Sequence, residues 1–274
     1  MIVNLNGRFV APGEARVPVD DGTVLFGDSL FETIKARRDT IFFLDEHLDR
    51  IELAARLLDF PFSRVPVRRA LLETAARLES QASRLRLTVS RGSSSGLLFP
   101  SPPEGHFIIS AAPYREPMEE ERTGGIPCVF APNRRVNPLS HLPQMKMGNY
   151  ADCLYAANDA LGRGAREALF RTDDDLVLEG ATSNLFLLRG RTLVTPPAGE
   201  LVLAGIMRRQ VLSAAGRLGF ATEVREVSCE ELFTADEAFI TNSLIELLPI
   251  SSVEGKALSR GNATEELRQA VDSF

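Results

Sequence analysis

The stretch Pro117-Met118-Glu119-Glu120-Glu121-Arg122-Thr123-Gly124-Gly125 breaks the hydrophobic patterning of the chain with charge and glycine, dividing it into two parts of different character. The part ahead of it reads as a small α+β unit. Residues 2–10 carry Asn6-Gly7 at their centre, the strongest short hairpin signal. Asp45 opens and N-caps a helix that runs through Arg50, Leu57 and Leu58 and stops before Pro61. Residues 65–79 repeat the amphipathic pattern, and 84–90 and 107–112 read as strands around the loop Gly92-Ser93-Ser94-Ser95-Gly96. Beyond the break, strands (168–171, 185–188, 237–241) alternate with helices (151–161, 206–218, 263–274). The expected organisation is a domain over 1–116, a linker over 117–123 and a larger α/β domain over 124–274.

Composition narrows the function. At 274 residues the chain can bury a substantial core, and its net charge of −6 argues against nucleic acid as a partner, because phosphate neutralisation needs a basic excess. No apolar run reaches transmembrane length, and Met1-Ile2-Val3-Asn4-Leu5-Asn6 lacks a basic region before a hydrophobic segment, so cytoplasmic residence without a membrane partner is expected. Three scattered cysteines (Cys128, Cys153, Cys229) fit neither a disulfide framework nor a zinc site. The histidines His47, His106 and His141 form no close ligand pair, and a metal is not expected.

The residue that points to chemistry is Lys146, within Leu142-Pro143-Gln144-Met145-Lys146-Met147-Gly148-Asn149-Tyr150. An apolar setting disfavours the ammonium and frees an amine to attack a carbonyl, as a Schiff-base lysine must. Read alone, Lys146 is better taken as a stem lying along apolar surface with its head in water; its company along the chain points the other way.

Four further pieces surround it in the chain. In Phe42-Phe43-Leu44-Asp45-Glu46-His47-Leu48-Asp49-Arg50, a helix places His47 and Arg50 on one face, where a guanidinium can hold phosphate oxygens; a Glu46–Arg50 pair is the simpler alternative. Glu179-Gly180-Ala181-Thr182-Ser183-Asn184-Leu185-Phe186 leads a carboxylate through small polar groups into a strand, which is also ordinary turn chemistry. Leu203-Ala204-Gly205-Ile206-Met207-Arg208-Arg209 feeds a glycine turn into a helix whose free N–H groups suit a phosphate. Ala238-Phe239-Ile240-Thr241-Asn242-Ser243-Leu244 ends a strand in three small polar residues.

Together these pieces, with Phe26-Gly27-Asp28-Ser29-Leu30-Phe31-Glu32-Thr33 and Leu248-Pro249-Ile250, resemble the class IV aminotransferase family, the fold type IV pyridoxal-phosphate enzymes, over nearly the whole chain. The resemblance implies a two-domain α+β (α/β) fold like that of D-amino acid aminotransferase, with pyridoxal 5'-phosphate in the interdomain cleft. It implies a small-molecule amino substrate and a homodimer, for which the loop Asp20-Asp21-Gly22-Thr23 would help close the partner's site. By the same resemblance Lys146 would carry the cofactor and shuttle the substrate proton, and Glu179 would keep the pyridine nitrogen protonated. Arg50 would grip the phosphate with the backbone of Gly205, Ile206 and Met207 and the hydroxyl of Ser243. Ser183, Asn184 and Asn242 would complete the cofactor site, and Tyr150 would reach the phenolic oxygen. Thr33 and Glu32 would line the substrate side and assist catalysis. Many relatives carry threonine where Met207 stands, so the phosphate here would rely on backbone donors.

Among family members, D-amino acid enzymes place an arginine and a histidine just after an Arg-Gly pair, whereas Arg91-Gly92 here leads into Ser93-Ser94-Ser95-Gly96. Branched-chain enzymes carry Gly-Thr-Ala-Ala where this chain has Asn242-Ser243-Leu244-Ile245. The stretches around Glu179, Gly205 and Thr241 look most like 4-amino-4-deoxychorismate lyases, whose reaction eliminates pyruvate to leave 4-aminobenzoate. Glu32 is shared with the transaminases and keeps a branched-chain or D-amino acid aminotransferase as the alternative.

Overall fold

Asn6 and Gly7 both take positive φ, 50° and 84°, and turn β1 (Ile2–Leu5) back onto β2 (Arg8–Val10). The computed structural model describes residues 1–100 and 104–272, and they divide into two units, Met1–Glu116 with Met145–Tyr150, and Pro117–Gln144 with Ala151 onward. In the first unit follow α1 (Gly22–Phe26), β3 (Ser29–Arg37), β4 (Thr40–Ile41), α2 (Leu44–Leu57), α3 (Arg64–Ala75), β5 (Ser83–Ser90) and β6 (His106–Pro113). The strands form one antiparallel sheet ordered β2-β1-β6-β5-β3-β4.

Strand alternation sorts β3 between two faces. Leu30, Ile34 and Ala36 enter the core with Leu48 and Ile51 of α2 and Leu71 of α3, while Phe31, Thr33 and Lys35 point the other way. The start of α2 differs from expectation. Phe43, at φ 53°, is the N-cap without a side-chain bond, and Asp45 lies inside the first turn with its carboxylate 3.0 Å from the Arg64 guanidinium. The negative charge still favours that helix end, but a left-handed residue makes the turn expected of a side-chain cap.

The second unit begins where a linker is expected. Residues 119–124 form α4 (Glu119–Gly124), whose Arg122 pairs with Glu246 at 3.3 Å. There follow β7 (Ile126–Phe130), α5 (Ala151–Gly162), β8 (Glu167–Arg171), β9 (Leu176–Gly180), β10 (Asn184–Arg189), β11 (Thr192–Thr195), α6 (Ile206–Arg217), β12 (Ala221–Val224), β13 (Val227–Ser228), α7 (Cys229–Thr234), β14 (Glu237–Asn242), β15 (Glu246–Val253), β16 (Lys256–Ala257) and α8 (Ala263–Asp272). The end of the expected last helix, residues 273–274, lies outside the described residues. The path β10-β14-β15-β7-β8-β9 returns to β10 through the pair Asn184↔Glu179, so these six strands close a ring. Its core gathers Ile126, Leu169, Leu185, Ile240 and Leu248. Among the described residues no helix is long and apolar enough to cross a membrane.

Residues 145–150 join the first unit by lying along β3. Phe31 N–H donates to the Lys146 carbonyl at 2.9 Å, Gly148 N–H donates to the Ser29 carbonyl at 2.7 Å, and Leu30 bridges Met147. Gly148 permits this approach, because a Cβ there would stand 2.1 Å from Ser29 Oγ and 2.8 Å from the Gly27 carbonyl oxygen. Gly148→Ala is therefore expected to cost about 1–3 kcal/mol by overpacking. Gly162→Ala, at a position with nothing within 4 Å, should be neutral or slightly stabilising. Equal melting temperatures for the two variants in a thermal unfolding scan would disprove the close-packed strip.

Candidate active site

In the first unit, the alternation of the 145–150 strip settles what Lys146 faces. Met145 and Met147 pack against the core, and Lys146 projects to the opposite side, its Nζ 4.5 Å from the centre of the Phe31 ring and 5.3 Å from that of Tyr150. Those two rings meet edge to face at 5.3 Å. An amine held among aromatic rings has an apolar setting and a fixed direction, the requirements of a nucleophile toward a carbonyl.

Arg50 is held from below by Glu32. Its Nε donates to Glu32 Oε1 at 2.7 Å and its Nη2 to Oε2 at 2.5 Å, a bidentate pair. His47, one helical turn earlier, places Nδ1 2.7 Å from the same Oε2. The shared face of α2 expected for His47 and Arg50 thus converges on one buried carboxylate from β3. Burial alone would raise the Glu32 carboxyl, but the Arg50 charge and then His47 outweigh it and hold it at about 2. Burial also presses His47 below its ordinary value, against the pull of Glu32, so its ring is neutral and Nδ1–H donates to the carboxylate. His47 Nε2 is buried without a hydrogen-bond partner. Glu32 thereby braces both Arg50 and His47, which is a positioning geometry.

Thr33 stands on the Phe31 face of β3 and is register partner to Arg86 of β5. The Arg86 guanidinium lies 3.8 Å from the Phe31 ring centre, and among the described residues it has no ion pair and no hydrogen bond. Burial lowers its pKa, with Tyr150 opposing. A half-buried cation of this kind calls for an anion. Arg86 escapes a reading of the sequence because a lone arginine in a strand looks like its solvated face; only the cross-strand register puts it beside Thr33 and Phe31.

In the second unit, Glu179 near the end of β9 is a buried carboxylate. Arg135 Nε donates to Oε1 at 3.0 Å, while Asn184 Nδ2 and the Leu203 N–H donate to Oε2 at 3.2 and 3.0 Å. Asn184 also donates to the Leu203 carbonyl at 2.9 Å, fixing the turn that leads to Gly205. A Cβ at Gly205 would stand 2.0 Å from Asn184 Oδ1, so only glycine permits this contact at the α6 N-cap. No side chain caps that helix, which leaves the first-turn N–H groups at Ile206 and Met207 for an anion. The Met207 side chain is buried.

Two expected cofactor ligands are occupied elsewhere. Ser183 Oγ donates to buried Glu167 at 2.9 Å, as does the Thr182 hydroxyl. Asn242 donates to the Thr182 carbonyl and accepts from the N–H groups of Leu244 and Ile245, closing the turn after β14. In both stretches turn chemistry uses the polar side chains. Ser243, in that same turn, is half-buried and its hydroxyl has no hydrogen bond among the described residues.

The carboxyl-centred trio in the first unit generates a pH dependence. Glu32 ionises at a lower pH in the fold than in the unfolded chain, so its stabilisation is complete above about 4.5 and lost as pH falls toward about 2, on the order of 3 kcal/mol in all. His47, neutral in the fold, adds loss in the same direction as pH falls below 6.5, because the unfolded chain takes up that proton first. Glu32→Gln should cost about 3–5 kcal/mol near neutrality by stranding Arg50, and should flatten the acid limb. Urea unfolding followed down to about pH 3 tests this; a variant with the wild-type acid profile would overturn it.

The first unit offers an amine and a braced guanidinium, and the second offers an uncapped helix start and a buried carboxylate; these are the kinds of group that a phosphorylated carbonyl cofactor with a basic ring nitrogen uses. Comparison with known proteins agrees. A "Putative branched-chain-amino-acid aminotransferase" of Methanocaldococcus jannaschii is 32% identical over 277 aligned residues, covering 100% of this chain and 95% of its own. The crystal structure of 4-amino-4-deoxychorismate lyase from Pseudomonas aeruginosa superposes with a TM-score of 0.88 at 29% identity, over 99% of this chain and 98% of that one. The branched-chain amino acid aminotransferase from Escherichia coli gives 0.89 at 26%, over 100% and 93%. Class IV aminotransferases use pyridoxal 5'-phosphate, and their fold is type IV. The family model for amino-transferase class IV matches residues 29–253, and the chain belongs to that family.

Proposed function

We propose that this chain is a pyridoxal-phosphate enzyme that acts as a 4-amino-4-deoxychorismate lyase, releasing pyruvate and 4-aminobenzoate, a folate precursor. The bound cofactor supplies an aldehyde that joins an amine and a ring that accepts the electron pair released at the substrate carbon. Lys146 would be the amine that holds it and the base that takes the proton from the carbon bearing the substrate nitrogen. Arg50 would hold phosphate oxygens, and the backbone N–H groups of Ile206 and Met207 and the Ser243 hydroxyl would serve the same group. Tyr150 would donate to the phenolic oxygen, and Glu179 would receive the ring N–H.

The observation that carries the lyase reading is the pairing of Thr33 with Arg86 beside Phe31 and Lys146. Aminodeoxychorismate carries two carboxylates and must lose an enolpyruvyl oxygen. Arg86 takes a carboxylate, and the Thr33 hydroxyl, free of hydrogen bonds to other described residues, stands ready to protonate the departing fragment. A transaminase is the second reading. It draws on the relatives named as branched-chain aminotransferases, and Arg86 would serve a dicarboxylic amino donor as well.

The chain also presents α1 residues Val24, Leu25 and Phe26 and loop residues Leu97, Leu98 and Phe99 as exposed apolar surface, which supports a homodimer. Sedimentation of the cofactor-loaded protein should give the mass of two chains, and a monomer at micromolar concentration would refute this.

For the activity, one assay follows 4-aminobenzoate formation from enzymatically supplied aminodeoxychorismate. A parallel one follows conversion of the cofactor to its amine form with L-leucine, L-glutamate or D-alanine. Product in the first alone is expected; conversion in the second alone would make the protein a transaminase. In whichever assay is positive, Arg86→Gln should raise KM at least about tenfold, the scale of one charge-assisted hydrogen-bonded contact, with a smaller effect on kcat. An unchanged KM would remove Arg86 from substrate binding.

A further inference from the structure

Arg135 lies in the loop after β7, and its side chain is almost wholly buried between two carboxylates. Nε donates to Glu179 Oε1 at 3.0 Å and Nη1 to Asp152 Oδ2 at 2.6 Å. Asp152 is itself fixed: Oδ2 accepts from the Val136 N–H at 3.1 Å and Oδ1 from the Cys153 N–H at 2.8 Å. The guanidinium is therefore anchored at the start of α5 and cannot rotate away from Glu179. A second buried cation, Arg208, acts on Glu179 through its charge; its own hydrogen bond goes to the Pro196 carbonyl at 3.0 Å, and its Nε is unpartnered.

The arrangement has a chemical consequence. A buried carboxylate costs several kcal/mol of desolvation unless a partner repays it, and otherwise takes a proton. Asn184 and the Leu203 N–H are neutral donors and orient Oε2, while Arg135 brings a full positive charge into direct hydrogen-bond contact with Oε1. We propose that Arg135 is a positioning residue that keeps Glu179 ionised and aimed, so that a cofactor ring nitrogen facing Glu179 retains its proton; this rests on the pyridoxal-phosphate reading given above. Lysine cannot replace Arg135 fully, since a single ammonium lacks the planar fork that spans two carboxylates. Glu167, also buried, is braced differently, by the hydroxyls of Thr182 and Ser183 and by backbone N–H groups, with no ion pair among the described residues. Of these two buried carboxylates, Glu179 is the one with a charged brace.

The test loads wild-type protein, Arg135→Gln, Arg135→Lys and Asp152→Asn with pyridoxal phosphate carrying ¹⁵N in the ring, and reads the ring-nitrogen chemical shift by NMR. Cofactor dissociation constants and melting temperatures are measured alongside. The wild type should show a protonated ring nitrogen. Arg135→Gln should move the resonance toward the unprotonated position and weaken cofactor binding about tenfold to a hundredfold, the scale on which removing an outer partner acts on a buried functional group. Arg135→Lys and Asp152→Asn should fall between. In a Glu179→Gln background, Arg135→Gln should add nothing to the shift, because its effect runs through that carboxylate. Folded variants with the wild-type ring shift would overturn the proposal, and Asp152→Asn decides it if Arg135→Gln does not fold. A wild-type protein that takes up no cofactor would defeat the underlying reading instead, a result distinct from an unmoved shift in a loaded variant.

Discussion

Backbone hydrogen bonding between the 145–150 strip and the first residues of β3 decides what the first unit can do. Two main-chain bonds and one bridge fix the register, and period-two alternation then leaves no choice of direction. The methionines flanking Lys146 fill the core side, and Lys146 must emerge on the side of Phe31. A slip of one residue would bury the ammonium among Leu30 and Ile34 and expose two methionines, at a cost of several kcal/mol for the unpaired charge alone. Gly148 enforces that register because no larger residue lies so close to Ser29 and Gly27. The Lys146 amine is thus placed by sheet geometry, before any contact of its own side chain is considered.

Buried carboxylates give each unit its electrostatic frame. Glu32 is bridged to Arg50 and His47, and Glu179 to Arg135, in each case by charge-assisted hydrogen bonds. Such pairs contribute little net stability compared with apolar packing, but they fix direction, since each guanidinium fork permits one orientation of its carboxylate. With its inner edge given to Glu32, the rest of the Arg50 guanidinium is held in one direction. Arg86 breaks the pattern, with burial but no carboxylate. A cation left unanswered by the described residues, on the face that also carries Lys146, is what a site for an anionic substrate requires.

Legibility in the sequence follows the range of the interactions. Asn6-Gly7 announces a hairpin because the two residues that need positive φ are themselves the signal. The helix carrying His47 and Arg50 is readable from its period, and its first residue is not, since Phe43 at positive φ starts it in defiance of side-chain preference. The 117–123 segment reads as a linker because three glutamates and a following glycine pair lack an apolar face, yet α4 is held by Arg122 reaching Glu246, over a hundred residues away. Ser183 and Asn242 look like ligands, but their local turns use them first. Arg86 leaves no trace in the one-dimensional pattern, and Arg135 reads there only as part of a basic pair with Arg134 suited to a small anion, because each acquires its meaning from partners set by register and loop closure.

The choice between elimination and transamination turns on what stands beside the amine, since both reactions begin with the same proton abstraction. After it, a transaminase must return a proton to the cofactor's own carbon and then admit a second substrate. A lyase must expel a group and protonate the fragment that leaves. On the proposed reading, the Thr33 hydroxyl, on a strand and register partner to Arg86, would serve the second task with no mobile part. Thr33 also has no lone-pair or proton commitment to the described chain that would have to be broken first. A small, fixed donor of this kind offers the transaminase little, because its proton must travel along the path of Lys146 instead. On the reading proposed above, Thr33 and Arg86 on β3 and β5 would favour elimination, since the other proposed groups would serve either reaction alike.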